Sequence, residues 1–404
     1  MIPPTTNSQY IIITILKTKN DKNHRSRHDL SFMRESTAMK KHLIFLALIF
    51  VSSLSAKTLN LFILGTGGVG TELIEQIAEK PTYHNVKLRV VAIANSKKML
   101  FNHKGIALDS WKSALETSVE PMNISDFIKQ MFTFHLKNSV FVDCTASQAV
   151  ADVYVNVLAC RISIVTPNKK ANTSSMNTYS MMKQIAAKNR VAYLYDATVG
   201  AGLPILSTLQ NLPKGSDDVY KVQAILSGTL SYLFNTFDGS SSFSECVRSA
   251  QALGFTEPDP RDDLNGMDVA RKLLIIAREL GYTLELSDIV LEPFLPKSCF
   301  DAPTVEAFYQ ELERCDGQMA TLMHEALSQG KRLRFIATFE EGKAKISLEA
   351  IERSHPFYDL TGTTNIAAIT SKYYPEPSPL VIKGPGAGFA LTASKVLQGI
   401  INTI

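Results

Sequence analysis

Apolar positions along this chain follow two rhythms. Unbroken runs, LNLFIL at 59–64, LRVVAIA at 88–94, SVFV at 139–142 and ISIV at 162–165, read as strands buried on both faces. The first leads through a glycine turn into TELIEQIAEK, which has helical spacing. This order predicts an α/β first domain built on a parallel sheet. The stretch 190–204, RVAYLYDATVGAGLP, is expected to carry a strand across into a second domain, with a helix starting near Leu203. From about 220 to 372 the pattern predicts an α+β unit, a mixed sheet with helices on one face. Its strands are expected at 219–227, 332–339 and 345–352, and its helices at 242–253, 266–281 and 306–329. A last helix is expected at 391–401.

The helix at 266–281 is the most strongly patterned. Met267, Ala270, Leu273, Leu274, Ala277 and Leu280 recur at helical spacing, and Asn265 is the expected N-cap with Asp268 three residues on. Five carboxylates crowd the approach to it and its first turn: Glu257, Asp259, Asp262, Asp263 and Asp268. Pro258 and Pro260 fix their own φ and push Glu257 and Asp259 out of the α region, which predicts a stiff, extended acidic loop. Such a cluster is costly without a positive ligand. On the helix Asp268 and Lys272 share a face, and Ile275 and Ile276 follow, so the lysine is expected to be partly desolvated. Two readings stand: a surface ion pair worth about 0.2–0.5 kcal/mol, or a proton-transferring lysine oriented by a carboxylate.

The chain has 404 residues, 45% of them hydrophobic, enough for two cores. Its net charge of +4 is concentrated in residues 1–57, which hold nine Lys/Arg against three Asp/Glu. The body is close to neutral and gives no sign of a nucleic-acid partner. Within the first 57 residues, MKKHLIFLALIFVSSLSA at 39–56 has the basic start, apolar centre and small-residue end of an export signal. It is too short for a membrane span. Residues 1–57 therefore read as an appended leader, or as the product of a start upstream of Met39. Five scattered cysteines, Cys144, Cys160, Cys246, Cys299 and Cys315, show no metal or redox spacing and read as reduced thiols of a cytoplasmic protein.

GTGGVG at 65–70 fits the G-x-G-x-x-G fingerprint of a Rossmann domain. Gly65 turns the chain, Gly67 admits a pyrophosphate, Gly70 packs helix on strand, and Gly68 and Val69 complete the turn. The second strand ends near Asn95 with no Asp or Glu for a ribose. Lys97 and Lys98 stand there instead, either to meet the 2′-phosphate of NADP(H) or as a solvated pair. Thr145, Asn168 and Lys169 fall at the carboxyl ends of later strands, where such sheets bind ligands, although Pro-Asn-Lys-Lys by itself is also an ordinary polar turn.

Taken in order, VTPNKKANTSS, VGAGLPIL, ILSGTLSYLFN, EPDPRDDLNGMDVARKL and GPGAG resemble the homoserine dehydrogenases, and most closely the dehydrogenase half of the bifunctional aspartokinase–homoserine dehydrogenases. The resemblance runs from about Thr58 to the C-terminus. It implies a nucleotide-binding domain at 58–198 and 380–404 and a substrate-binding and dimerisation domain at 199–379. It also implies NAD(P)-dependent interconversion of homoserine and aspartate 4-semialdehyde in threonine, methionine and isoleucine biosynthesis, in a homodimer or higher homo-oligomer. Within it, Lys272, Asp268 and Lys169 match the catalytic positions. Glu257, Asp263, Gly228 and Thr229 match substrate contacts, and Thr145 and Gly386 match cofactor contacts alongside the fingerprint glycines and Lys97. Asp196, Val199, Ala201 and Leu203 match a monovalent-cation site such as one for Na+, with Asp196 shorter than the usual Glu. Phe389 and Ala390 depart from the Gly-Asn-Asp or Gly-Gly-Asp that often follows the Gly-Ala-Gly stem. That departure leaves a catalytically silent NADP-binding homologue as the competing reading.

Overall fold

The structure is a computed structural model, and residues 57–404 are described. The export-signal-like segment and the rest of residues 1–56 lie outside them.

Alternation in the first strand, Lys57–Leu64, sets the first layer. Leu59, Leu61 and Ile63 point to one face, where they meet Leu73, Ile74 and Ile77 of the helix Gly68–Glu79 and Ala393, Val396 and Ile400 of the C-terminal helix Phe389–Ile401. Phe62 and Leu64 point to the other face, into a second core. The strand is central in a seven-stranded sheet. It pairs in parallel with Val86–Ala94 on one side and Ser139–Asp143 on the other, and Ser163–Val165 and Tyr193–Leu194 extend the parallel order. Successive connections leave the central strand in opposite directions, so a crevice opens at its carboxyl end.

The second sheet has six strands in the order Leu380–Pro385, Thr364–Ser371, Val219–Ile225, Arg332–Glu340, Lys343–Ile351 and Val290–Leu291. All pairs are antiparallel except the last, which makes the sheet mixed as expected. Arg332–Glu340 and Lys343–Ile351 form a hairpin whose two turn residues, Glu341 and Gly342, both have positive φ, as a two-residue turn of that hand requires. The helix Met267–Glu279 lies between the two sheets. From Leu273 to Arg278 every residue is buried, so its second half is enclosed on all sides. One apolar core runs from Phe62 and Phe141 of the first sheet through Leu273 and Ile276 to Phe339 of the second.

Four expectations are corrected. The strand expected at 190–204 is only Tyr193–Leu194, because a 3-10 turn, Asp196–Thr198, ends it and Gly200 and Ala201 then take positive φ; the next helix is Ile205–Asn211. Leu380–Pro385 belongs to the second sheet, so the return to the first domain begins at Gly386 rather than at 380. The acidic loop is not extended throughout: Pro260 is αR and caps a short helix, Arg261–Leu264. Finally, Gly266, at φ +70°, occupies the cap position expected of Asn265, whose Oδ1 still accepts the Met267 N–H at 2.8 Å.

Candidate active site

Two lysines from different domains meet on one carboxylate. Lys272 Nζ lies 2.8 Å from Asp268 Oδ2, and Lys169 Nζ, carried by the turn after the strand Ser163–Val165, lies 3.2 Å from Asp268 Oδ1. Lys272 also donates to the Leu226 carbonyl at 2.5 Å, at the start of the Ser-Gly-Thr turn. Its side chain is 12% exposed, which meets the expectation of partial desolvation. An ammonium has three donors. Among the described residues two are used, which leaves the third for an oxygen of a bound molecule.

Burial alone would raise the Asp268 carboxyl, but the two ammonium groups outweigh it and hold the group well below the ordinary carboxylate range. The Lys169 ammonium is lowered as well. Burial lowers it and the Lys272 charge adds to that, while Asp268 opposes both.

The acidic approach divides its charges. Asp259 is neutralised inside the segment by Arg261, whose Nε lies 2.8 Å from Asp259 Oδ1. Asp263 Oδ2 accepts the Glu257 N–H at 2.7 Å, and Asp263 Oδ1 lies 2.9 Å from the Thr229 hydroxyl. Burial, together with the Glu257 and Asp268 charges, raises the Asp263 carboxyl above its usual range. Among the described residues the Glu257 carboxylate has no hydrogen-bond partner and is exposed. Gly228 opens the helix Gly228–Thr236, capped by Ser227, and a Cβ there would stand 3.5 Å from Thr363.

Two buried residues that sequence reasoning missed hold this arrangement. Arg278, its side chain fully buried, donates to the carbonyls of Asn172 and Ser174, both at 2.8 Å. That ties the segment following Lys169 to the helix that carries Asp268 and Lys272. Asp143 accepts Tyr154 Oη at 2.6 Å, Asn168 Nδ2 at 2.9 Å and the Thr145 N–H at 2.7 Å. It thereby fixes the Thr145 turn and the Asn168–Lys169 turn against one another. Burial raises the Asp143 carboxyl, and these hydrogen bonds oppose the rise. An arginine near a helix end and an aspartate ending a strand both read as surface residues in sequence, so neither carried a signal.

The glycine turn has the shape a dinucleotide needs. Gly65 has φ +90°, and a Cβ on it would stand 2.7 Å from Thr145 Cγ2. A Cβ on Gly70 would stand 1.8 Å from the Gly65 carbonyl oxygen, whereas Gly67 has open space beside it. Turn, close packing and open approach thus fall on the expected glycines. At the next strand end Asn95 Oδ1 accepts the N–H groups of both Lys97 and Lys98 at 2.8 Å. The Lys98 ammonium is engaged by the Glu116 carbonyl, and Lys97 is exposed. A cavity of about 550 Å³ lined by Leu59, Asn138 and Arg161 lies at the amino ends of the strands and takes no part in this site.

A homoserine dehydrogenase family model matches residues 204–401, and a model of the homoserine dehydrogenase NAD-binding domain matches residues 65–196. The chain belongs to the homoserine dehydrogenase family. A bifunctional aspartokinase/homoserine dehydrogenase of Haemophilus influenzae is 42% identical over 351 residues, covering 86% of this chain and 43% of its own length. The chain thus spans less than half the length of the bifunctional relatives it matches. The homoserine dehydrogenase of Schizosaccharomyces pombe is 36% identical and is covered over 96% of its length by 86% of this chain. Among solved structures, a Candida auris protein of unknown function superposes with a TM-score of 0.81 at 33% identity, over 86% of this chain and 98% of its own.

Against the family pattern, two positions differ in this chain. Phe389 lies over the fingerprint: a Cβ on Gly68 would stand 2.5 Å from its ring, while Gln76 Nε2 holds the Ala390 carbonyl at 2.9 Å. Gly386 is required by packing, since a Cβ there would overlap the buried Asn365 side chain. Of the four expected cation ligands, Asp196 and Leu203 are already engaged within the protein. Asp196 Oδ2 faces the Lys395 ammonium at 3.5 Å, and the Leu203 carbonyl already accepts the Ile205 N–H at 2.9 Å. Among the described residues no helix is long and apolar enough to cross a membrane.

Proposed function

We propose that the chain is an NADP-preferring homoserine dehydrogenase that interconverts L-homoserine and L-aspartate 4-semialdehyde. The observation that carries this reading is the sharing of Asp268 by Lys169 of the nucleotide-binding domain and Lys272 of the second domain. A nicotinamide cofactor, when bound, supplies or accepts the hydride at the carbon bearing the oxygen. The fingerprint glycines Gly65, Gly67, Gly68 and Gly70, with Val69, Thr145 and Gly386, are the residues that would hold it.

The chain's own groups handle charge and protons. Lys272, with one donor free, gives a proton to the aldehyde oxygen in reduction and takes it back in oxidation. Asp268, 2.8 Å from that ammonium, aims it. Lys169 stands on the same carboxylate and stabilises negative charge developing on the oxygen. Asp263, raised by burial and by its acidic neighbours, and the unpaired Glu257 form an anionic pocket that suits the substrate ammonium; Thr229 and Gly228 line its approach.

NADP preference is supported by Asn95 in place of a ribose-binding acid and by the exposed Lys97 beside it. A reducing, cytoplasmic setting is supported by five unbridged thiols and by the need for a reduced-cofactor pool. A homo-oligomer contact is assigned to the second domain and is read by light scattering. The deciding experiment is reduction of NADP and of NAD by L-homoserine, followed at 340 nm on the full chain. Cofactor binding without turnover would leave the silent homologue as the correct reading.

A further inference from the structure

Asp196 stands where the parallel sheet hands over to the second domain, and its position is the one the family pattern gives to the carboxylate ligand of a monovalent cation. In this chain a protein ammonium is already there. Lys395 projects from the C-terminal helix with its side chain 7% exposed, and its Nζ lies 3.5 Å from Asp196 Oδ2 and 3.0 Å from Gln398 Oε1. A lysine so deeply placed needs a counter-charge. Asp196 is the only carboxylate within ion-pair distance of it among the described residues.

The surroundings agree with this pairing. Asp196, Lys395, Gln210 and Gln398 line a cavity of about 180 Å³ between the C-terminal helix and the end of the first sheet, and Val199, Ala201 and Leu203 do not line it. A second cation beside Asp196 would face the Lys395 charge at short range. Of the carbonyl oxygens that would complete its shell, that of Leu203 already accepts the Ile205 N–H at 2.9 Å.

We propose that the Lys395 ammonium is a built-in replacement for the monovalent cation: it neutralises Asp196, fastens the C-terminal helix to the interdomain crossover, and makes the protein independent of Na+ and K+. The physical equivalence is one of charge, since a fixed ammonium supplies +1 by hydrogen bonding where a metal ion would supply it by coordination. It also costs no ion binding. The inference concerns the fold and does not depend on the proposed reaction, so its main readout is unfolding without substrate.

The test is thermal unfolding of the full chain in the chlorides of Na+, K+ and tetramethylammonium at matched ionic strength, with homoserine turnover measured in parallel. An ion that binds only the native state raises Tm as its concentration passes Kd, by several degrees at about a hundredfold excess. The wild-type Tm is expected to be the same in all three salts. Lys395→Ala is expected to unfold several degrees lower in tetramethylammonium chloride and to recover part of that loss in NaCl or KCl, because the vacated space beside Asp196 then admits an ion. A wild-type protein stabilised or activated about threefold or more by Na+ or K+ would overturn the proposal. So would a Lys395→Ala protein whose loss is the same size in all three salts, or one with no loss. If that variant does not accumulate, the wild-type salt series decides alone.

Discussion

Replacing Lys272 with Met removes the ammonium while keeping most of the stem that fills the space beside Ile275 and Ile276. Three interactions go with it: the 2.8 Å pair with Asp268, the 2.5 Å hydrogen bond to the Leu226 carbonyl, and the one free donor. The first two are structural. Leaving the Leu226 carbonyl unpaired costs about 1–3 kcal/mol, and because the Asp268 side chain is 46% exposed, the lost ion pair adds little once solvent screening is counted. Asp268 keeps Lys169 as a counter-charge, so the fold is expected to survive with a Tm lower by a few degrees. The third interaction is chemical. A lost general acid–base group lowers kcat by about 10² to 10⁴, which corresponds to about 2.7–5.5 kcal/mol of barrier. The assay is kcat for homoserine oxidation under saturating NADP, with cofactor Kd from quenching of NADPH fluorescence. Loss of kcat with an unchanged Kd is the expected pattern. A variant that keeps more than about a tenth of wild-type kcat would refute the proton-transfer role, and a parallel rise in Kd would mean that the lysine holds the two domains rather than the proton.

Four further outcomes are expected. Asp268→Asn removes the charge that raises Lys169 against its burial, so the ammonium should lose its proton at lower pH and the alkaline limb of kcat/KM should move toward neutral; an unmoved limb would uncouple Lys169 from the reaction. The same substitution removes a stabilising term that is complete above the ordinary carboxylate pKa and disappears only as pH falls through the depressed native value, which acid titration of unfolding will read. Glu257→Gln or Asp263→Asn should raise KM for homoserine by about tenfold and leave KM for NADP nearly unchanged; equal rises in both would give the acidic loop a purely structural role. Arg278→Met strands the Asn172 and Ser174 carbonyls and the Lys169 segment, and should lower stability by about 3–5 kcal/mol in denaturant melts together with kcat, whereas an unaltered midpoint would remove it as the tie between the two lysines.

The sequence by itself determined what local geometry dictates. Short continuous apolar runs, a glycine turn after the first of them and a helix with Asp268 and Lys272 four apart needed no partner to be read, because strand, turn and helix each leave their mark on neighbouring residues. The mixed second sheet was also legible, while the return of the C-terminal helix to the first domain followed from the family resemblance. Tertiary structure alone decided which distant residues share a charge. Lys169 and Lys272 are about a hundred positions apart, and only the enclosure of the helix Met267–Glu279 between the two sheets brings them to one carboxylate. Sequence could not reveal that Arg278 and Asp143 are buried, because an ionised residue inside is exceptional and depends on carbonyls and hydroxyls supplied from elsewhere in the chain. The same limit explains Asp196. The resemblance implied an ion held there by nearby carbonyls, whereas the fold sets Lys395, about two hundred residues away, 3.5 Å from the Asp196 carboxylate, because electrostatic partners are set by distance in space and carry no sequence period.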